Sequence, residues 1–216
     1  FHVFSLFLLQ DSSAMDKKQE SAVILKNFII FTSKLSHKNK NFPVLIPIET
    51  ERLILRPLKK SDAERLFLLD SNPEVMKYVG VAPLTRPEES ENVISHIQKQ
   101  YEEFGTGRFA VIEKSSGLLI GWNGLKFNPE KVHQHDNFYE LGYRFLPEFW
   151  GKGFATESSL PFIKRAFKEM NLDQIYAYAH CENVASNHLL TKFGFLEKGK
   201  FLEPDGWCNW YELSSE

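Results

Sequence analysis

Residues Glu140–Glu157 read ELGYRFLPEFWGKGFATE. The beginning of this stretch falls in a strand predicted over Phe138–Leu146. Tyr139, Leu141, Tyr143 and Phe145 share one face of that strand, and Phe138, Glu140, Gly142 and Arg144 the other. Gly151 and Gly153 follow, one residue apart, and then a helix with Ile163, Ala166, Phe167 and Met170 as its apolar stripe. Strand, glycine-rich turn and helix start in succession bring backbone N–H groups and the positive end of a helix dipole together, which suits a pyrophosphate. Two named phosphate motifs are excluded. A Walker A loop needs GxxxxGK[ST], but Lys152 stands between the glycines. A dinucleotide fingerprint needs a third glycine where Thr156 stands.

Outward from this unit the pattern stays locally consistent. Upstream, TERLILRP (Thr50–Pro57) alternates as a strand, and Ser61–Glu64 reads as a capping box opening a helix from about Asp62 to about Asp70. Pro87–Phe104 carries Val93, Ile94, Ile97 and Tyr101 at helical spacing. Phe109–Ile112 and Leu118–Phe127 flank a Ser115-Ser116-Gly117 turn and form a hairpin. Downstream, Gln174–His180 is a strand. Asn183 opens a short helix with Ala185, Leu189, Leu190 and Phe193 inward, closed by Gly194. Phe195–Phe201 and Cys208–Leu213 form a last hairpin. Strands linked both by hairpins and by helices predict an α/β fold with a mixed, twisted sheet of six to seven strands and helices on both faces.

The chain has 216 residues, long enough for one domain of moderate size with an appendage. A formal charge of −2 speaks against a nucleic-acid binder, which is usually strongly basic. Cys181 and Cys208 lie too far apart in sequence for a CxxC pair, and the expected compartment is the reducing cytoplasm. No run reaches the ~18 apolar residues of a membrane span. Residues 1–47 are set apart as an N-terminal arm, and 48–216 as the folded domain. Within the arm, Phe1–Leu9 is apolar but lacks the basic flank of a secretory signal, and Met15 is expected to be a start.

FWGKGFATE after ELGYRFLPE resembles the acetyl-CoA-binding motif of the GNAT N-acetyltransferases, and more narrowly the branch that acetylates N-termini of ribosomal proteins (RimJ/RimL-like). TERLILRPLKKSDA, LIGWNGL and ENVASNHLLTKFGF agree, in family order, so that the resemblance covers about Ile48 to Leu213. It implies a GNAT acyl-CoA N-acyltransferase fold and transfer of acetyl from acetyl-CoA to a primary amine by direct attack in a ternary complex. That amine is a protein N-terminus or a small molecule. Dimers are common in the family, and no metal, nucleic acid or membrane is implied. One departure is Glu148, where the wider superfamily often has Gln or Arg.

The resemblance also implies residue roles. Backbone groups of Tyr143, Phe145 and Leu146 would pair with the pantetheine arm as an added strand. Trp150, Gly151, Lys152, Gly153, Phe154, Ala155 and Thr156 would hold the pyrophosphate. Asn183 would bind a pantetheine amide, with Asn187 along the same edge, although Asn183 is equally a helix N-cap. Many relatives place a proton-donating Tyr where Leu190 stands. Ser186, one turn back on the same helix face, is the donor that the ribosomal branch implies. Glu140 is a general-base candidate, or else pairs with Arg144; Asp205 is a second candidate, or else part of an ordinary DG turn.

Three further features are read as structural. His133, His135 and Asp136 fall in a polar loop with no further metal ligand placed. Cys181 reads as a small apolar residue rather than an acyl carrier. Trp207 and Trp210 line a substrate mouth or cover the sheet edge. A noncatalytic acyl-CoA-binding module is the alternative function, distinguished by cofactor binding without turnover.

Overall fold

Strand β2 (Leu53–Pro57) uses the alternation of its sequence: Leu53 and Leu55 are fully buried, while Ile54 and Arg56 are half-buried. The computed structural model describes residues 45–215, all within one compact unit. Phe1–Leu9, Met15 and nearly all of the predicted arm lie outside the described residues. In chain order the elements are β1 (Ile48–Glu49), β2, α1 (Ala63–Asp70), α2 (Pro73–Met76), α3 (Pro87–Phe104), β3 (Arg108–Glu113), β4 (Leu119–Asn128) and β5 (Phe138–Phe145). There follow α4 (Phe154–Lys168), β6 (Gln174–His180), α5 (Val184–Lys192), β7 (Leu196–Glu203) and β8 (Gly206–Ser214).

The strands form one mixed sheet in the order β1-β2-β3-β4-β5-β6-β8-β7. Among the described residues only β5 and β6 run parallel, joined by the crossover helix α4 that a parallel pair needs. Among the described residues seven strands have five residues or more, and the two-residue β1 adds an eighth to the expected count. Successive side chains of β4 leave opposite faces of the sheet. Asn123 donates to Ser158 and Ser159 of α4 at 2.7 and 2.8 Å. Its neighbour Trp122 lies 4.9 Å from the guanidinium of Arg144, which pairs with Asp70 at the end of α1. Hence α4 covers one face and α1 the other.

The main core gathers both helix layers onto the sheet. Phe109 of β3 meets Tyr101 of α3 and Phe162 of α4 edge-on. Side chains enclosed this completely contribute on the order of 1.5–3 kcal/mol each. A smaller cluster of Phe138, Phe201, Cys208 and Trp210 fills the space beyond the parallel pair.

Three local expectations are corrected. Ser61 does not cap α1. Asp62 instead accepts the Lys59 N–H and both terminal nitrogens of Arg56, each at 2.7 Å, so the chain enters α1 through a 3-10 turn. On α4 the buried stripe is Phe154, Ser158, Phe162, Arg165 and Ala166. Ile163, Phe167 and Met170 flank it half-buried, because the helix is rotated to present its serines to Asn123. On α5 Leu190 is buried but Ala185 is exposed, because the first turn directs Ser186 and Asn187 inward instead.

Candidate active site

The turn between β5 and α4 is built by backbone conformation. Gly151 and Gly153 have φ of 69° and 81°, the left-handed region that side chains disfavour. A Cβ on Gly151 would meet nothing within 4 Å, so that glycine is required by its φ and not by crowding. The first helical bond runs from Glu157 N–H to Gly153 O at 3.0 Å. Among the described residues, the N–H groups from Gly151 to Thr156 have no partner, and they gather at the N-terminus of a 15-residue helix. They suit the pyrophosphate of acetyl-CoA. The Lys152 ammonium lies over the Phe149 ring, 5.4 Å from its centroid.

Trp150 has a different role from the one expected. Its N–H donates to Pro147 O at 3.0 Å and its indole to Phe145 O at 2.7 Å, so it braces the turn against the strand and has no donor left for a phosphate. A second brace escaped the sequence. Arg52, just before β2, donates to Glu157 at 2.7 Å and to Lys152 O at 3.0 Å, and lies over the Phe154 ring. Glu157 also accepts from Thr50 at 2.5 Å. Desolvation works to raise the Glu157 pKa, but bonds from Thr50 and Arg52 outweigh it and hold the carboxyl below its usual range. Arg52 and Glu157 are 105 positions apart, and no local pattern connects them.

Beside the turn the sheet opens. Strand β6 pairs with β5 only at Glu140↔Tyr176, although β5 continues to Phe145. Leu146 N–H donates to Ile120 O at 3.0 Å, on the β4 side. By antiparallel alternation, the main-chain groups of Tyr143 and Phe145 therefore face the gap. Phe145 O is taken by Trp150 and the Leu146 amide by β4, so of the expected pairing groups these two are already bonded within the protein. The Tyr143 amide and carbonyl and the Phe145 N–H are left to receive an extended ligand arm.

Across the gap, Asn183 is the N-cap of α5, its side chain accepting Ser186 N–H at 3.1 Å. Asn187 is saturated. Its amide nitrogen donates to His180 O at 2.9 Å and Asn183 O at 2.8 Å, and its oxygen accepts from Asn209 at 3.0 Å and Tyr211 at 2.8 Å. These bonds tie the start of the helix to β6 and β8. Ser186 Oγ lies 3.0 Å from the Tyr143 hydroxyl, a contact from α5 to β5 over the gap.

Glu140 is buried on the opposite face and is not a free base. Arg108 donates to one carboxylate oxygen, Asn128 donates to the other at 2.8 Å, and Lys126 Nζ is 3.7 Å away. Burial alone would raise its pKa, but Arg108, Lys126 and Asn128 together hold it below the ordinary glutamate value. The expected partner, Arg144, pairs with Asp70 instead. Arg108 reaches Glu140 by crossing over Gly142, where a Cβ would come within 2.6 Å of its guanidinium.

On this same face a groove of ≈ 370 Å³ is lined by Tyr78, Gly80, Tyr178, His180, Glu203 and Asp205, among others. Asp205 is exposed at its rim. His180 stacks on Tyr78, with ring centroids 5.1 Å apart. In the neighbouring loop Gln134 and Asp136 are exposed, while the two histidines are half-buried. His135 stacks on Trp210 and His133 on Phe201, and His135 lies 3.3 Å from Glu212. Among the described residues no group of three or more His, Cys, Asp or Glu could hold a metal ion, and no helix is long and apolar enough to cross a membrane. Cys181 is half-buried and donates to Asn209 at 3.0 Å.

Known proteins resemble this chain. Residues 52–196 match the family described as the acetyltransferase (GNAT) domain. An uncharacterized N-acetyltransferase of Bacillus subtilis, YoaA, is 35% identical over 158 residues, which span 73% of this chain and 85% of that protein. The spermidine N(1)-acetyltransferase of Vibrio cholerae is 28% identical, over 70% of this chain and 83% of its own. Among solved structures, the GNAT-family acetyltransferase from Bacillus anthracis superposes with a TM-score of 0.64 at 28% identity, covering 78% of this chain and 98% of the other.

Proposed function

The chain belongs to the GNAT acetyltransferase family and is an acetyl-CoA-dependent amine acetyltransferase, and from that premise we propose how its residues divide the work. When bound, acetyl-CoA supplies the activated acetyl thioester. The N–H groups of Gly151 to Thr156 hold the pyrophosphate, and the open edge at Tyr143 and Phe145 receives the pantetheine arm. The observation that carries this reading is the parting of β5 from β6 directly beside a helix start whose N–H groups are unpartnered.

The groove on the other side of the gap takes the amine, which attacks as the free base. An α-amino group, with a reference pKa of about 7.7–8.0, needs little help to lose its proton near neutrality. Asp205 at the groove rim accepts that proton through water. Ser186 donates to the departing sulfur, whose thiol is acidic enough to be released with a weak donor. Most of the rate then comes from positioning. The NxxS spacing of Asn183 and Ser186, as in the ribosomal-protein branch, supports an N-terminal acceptor. The Glu203 and Asp205 carboxylates beside Tyr78 and Tyr178 favour a second acceptor, a small cationic amine such as the spermidine in the name of the Vibrio relative.

Thiol release from acetyl-CoA with Ser- and Ala-starting peptides, spermidine, an aminoglycoside and free amino acids tests both. Turnover is expected with a peptide or with spermidine. Cofactor binding with no turnover of any amine would return the chain to the noncatalytic alternative.

A further inference from the structure

We propose that Tyr143 is a positioning residue for thiol release: its phenol donates to Ser186 Oγ and so turns the Ser186 proton into the gap. This rests on the reading of Ser186 as the donor to sulfur. The two oxygens are 3.0 Å apart, and either could be the donor. If Ser186 donated, the phenol proton would be left with only the Ser186 carbonyl, at 3.5 Å. If the phenol donates, both protons are used, because the serine proton is free to meet a sulfur that is gaining negative charge. Burial pushes the Tyr143 hydroxyl up to about 12, so it keeps its proton at any working pH.

A donor bonded to Ser186 Oγ also stabilises charge appearing on that oxygen, so two hydroxyls in series polarise one another toward sulfur. The step balances. As the C–S bond breaks, its electron pair goes to sulfur, and sulfur takes the proton of Ser186. The proton shed by the amine nitrogen returns to Ser186 through solvent. Tyr143 itself keeps its proton throughout. The main chain of the same residue faces the gap, so Tyr143 ties the serine to the edge along which the cofactor arm lies.

The test needs no acceptor. CoA labelled at the carbon beside its sulfur is bound to the full chain, and its thiol is titrated by the chemical shift of that carbon. Wild type, Tyr143→Phe, Ser186→Ala and the double variant are compared. The bound thiol should titrate about 0.5–1 pH unit higher in each single variant than in wild type, and no higher still in the double, as expected for one charge-assisted bond. Melting temperature and CoA affinity, measured alongside, confirm folding. A shift in Ser186→Ala without one in Tyr143→Phe overturns the inference and leaves the Ser186 reading standing. Shifts that add in the double variant overturn it as well. No shift in Ser186→Ala overturns the Ser186 reading, and the inference falls with it.

Discussion

Gly151 and Gly153 contribute conformation, and Lys152 between them contributes charge. The two can be separated. Valine is β-branched and strained at a positive φ, at a cost on the order of 1–3 kcal/mol. Gly151→Val and Gly153→Val should therefore each weaken acetyl-CoA binding by roughly 10- to 100-fold in a calorimetric titration. Lys152 is exposed and folded onto Phe149, so Lys152→Ala should change affinity by less than roughly 3-fold, as for an exposed charge. If Lys152→Ala were the worst of the three, the backbone-cradle argument would be wrong. Ser186→Ala should lower kcat by ~10–100-fold at unchanged acetyl-CoA affinity, the lower part of the acid–base range. A kcat equal to wild type under chemistry-limited conditions would reduce Ser186 to a structural residue. These residues were legible because a turn glycine and an N-cap act within a few positions of themselves. The partner of Glu140 was misjudged for the opposite reason. Its partner Arg108 is 32 positions away, on a strand two places across the sheet, and the nearby Arg144 was the only partner that sequence suggested.

Element by element, β5 carries most of the site. Its α4-side face presents Tyr143 to Ser186, its other face buries Glu140 against Arg108, and its far end is released from β6. Breaking the buried pair with Arg108→Met strands a carboxylate, and urea unfolding should show a loss of about 3–5 kcal/mol. Replacing both partners by Arg108→Met and Glu140→Leu should recover a large part of that loss. A single variant within about 0.5 kcal/mol of wild type would mean that the pair contributes nothing. The pH dependence has a definite sign. Because the folded-state pKa of Glu140 is depressed, its stabilising contribution is fully present above its unfolded value of about 4.3. That contribution is lost as pH falls through the folded value. The stability difference between wild type and Glu140→Gln should accordingly be constant from neutrality down to about pH 5 and shrink in more acidic urea titrations. A difference that grew on acidification would reverse the assignment. Element existence was readable from period, caps and glycines, but helix rotation was not. Which stripe of α4 faces inward is decided by Asn123 on β4, a residue outside the helix.

Over the whole molecule, the fold class followed from the order of hairpins and crossovers. The glycine turn was read from one continuous stretch, and the role of the strand edge beside it was implied by the family resemblance. The braces were not: Arg52 holds Glu157, Tyr143 meets Ser186 and Trp150 closes onto Phe145 through contacts that exist only once the chain is folded. Such contacts explain how one sheet can keep a gap open between two of its own strands without collapsing it. On the proposed reading, a cofactor channel and an amine groove lie on opposite sides of that gap, as direct transfer requires. The account gives no role to the half-buried thiol of Cys181, which is bonded to Asn209. The most direct test is the time course of CoA release after mixing the protein with saturating acetyl-CoA, with and without an amine it accepts. The account predicts that CoA appears only when the amine is present, with no acetyl group left on the protein. A stoichiometric burst of CoA before the amine is added, or no release with any amine, would contradict it.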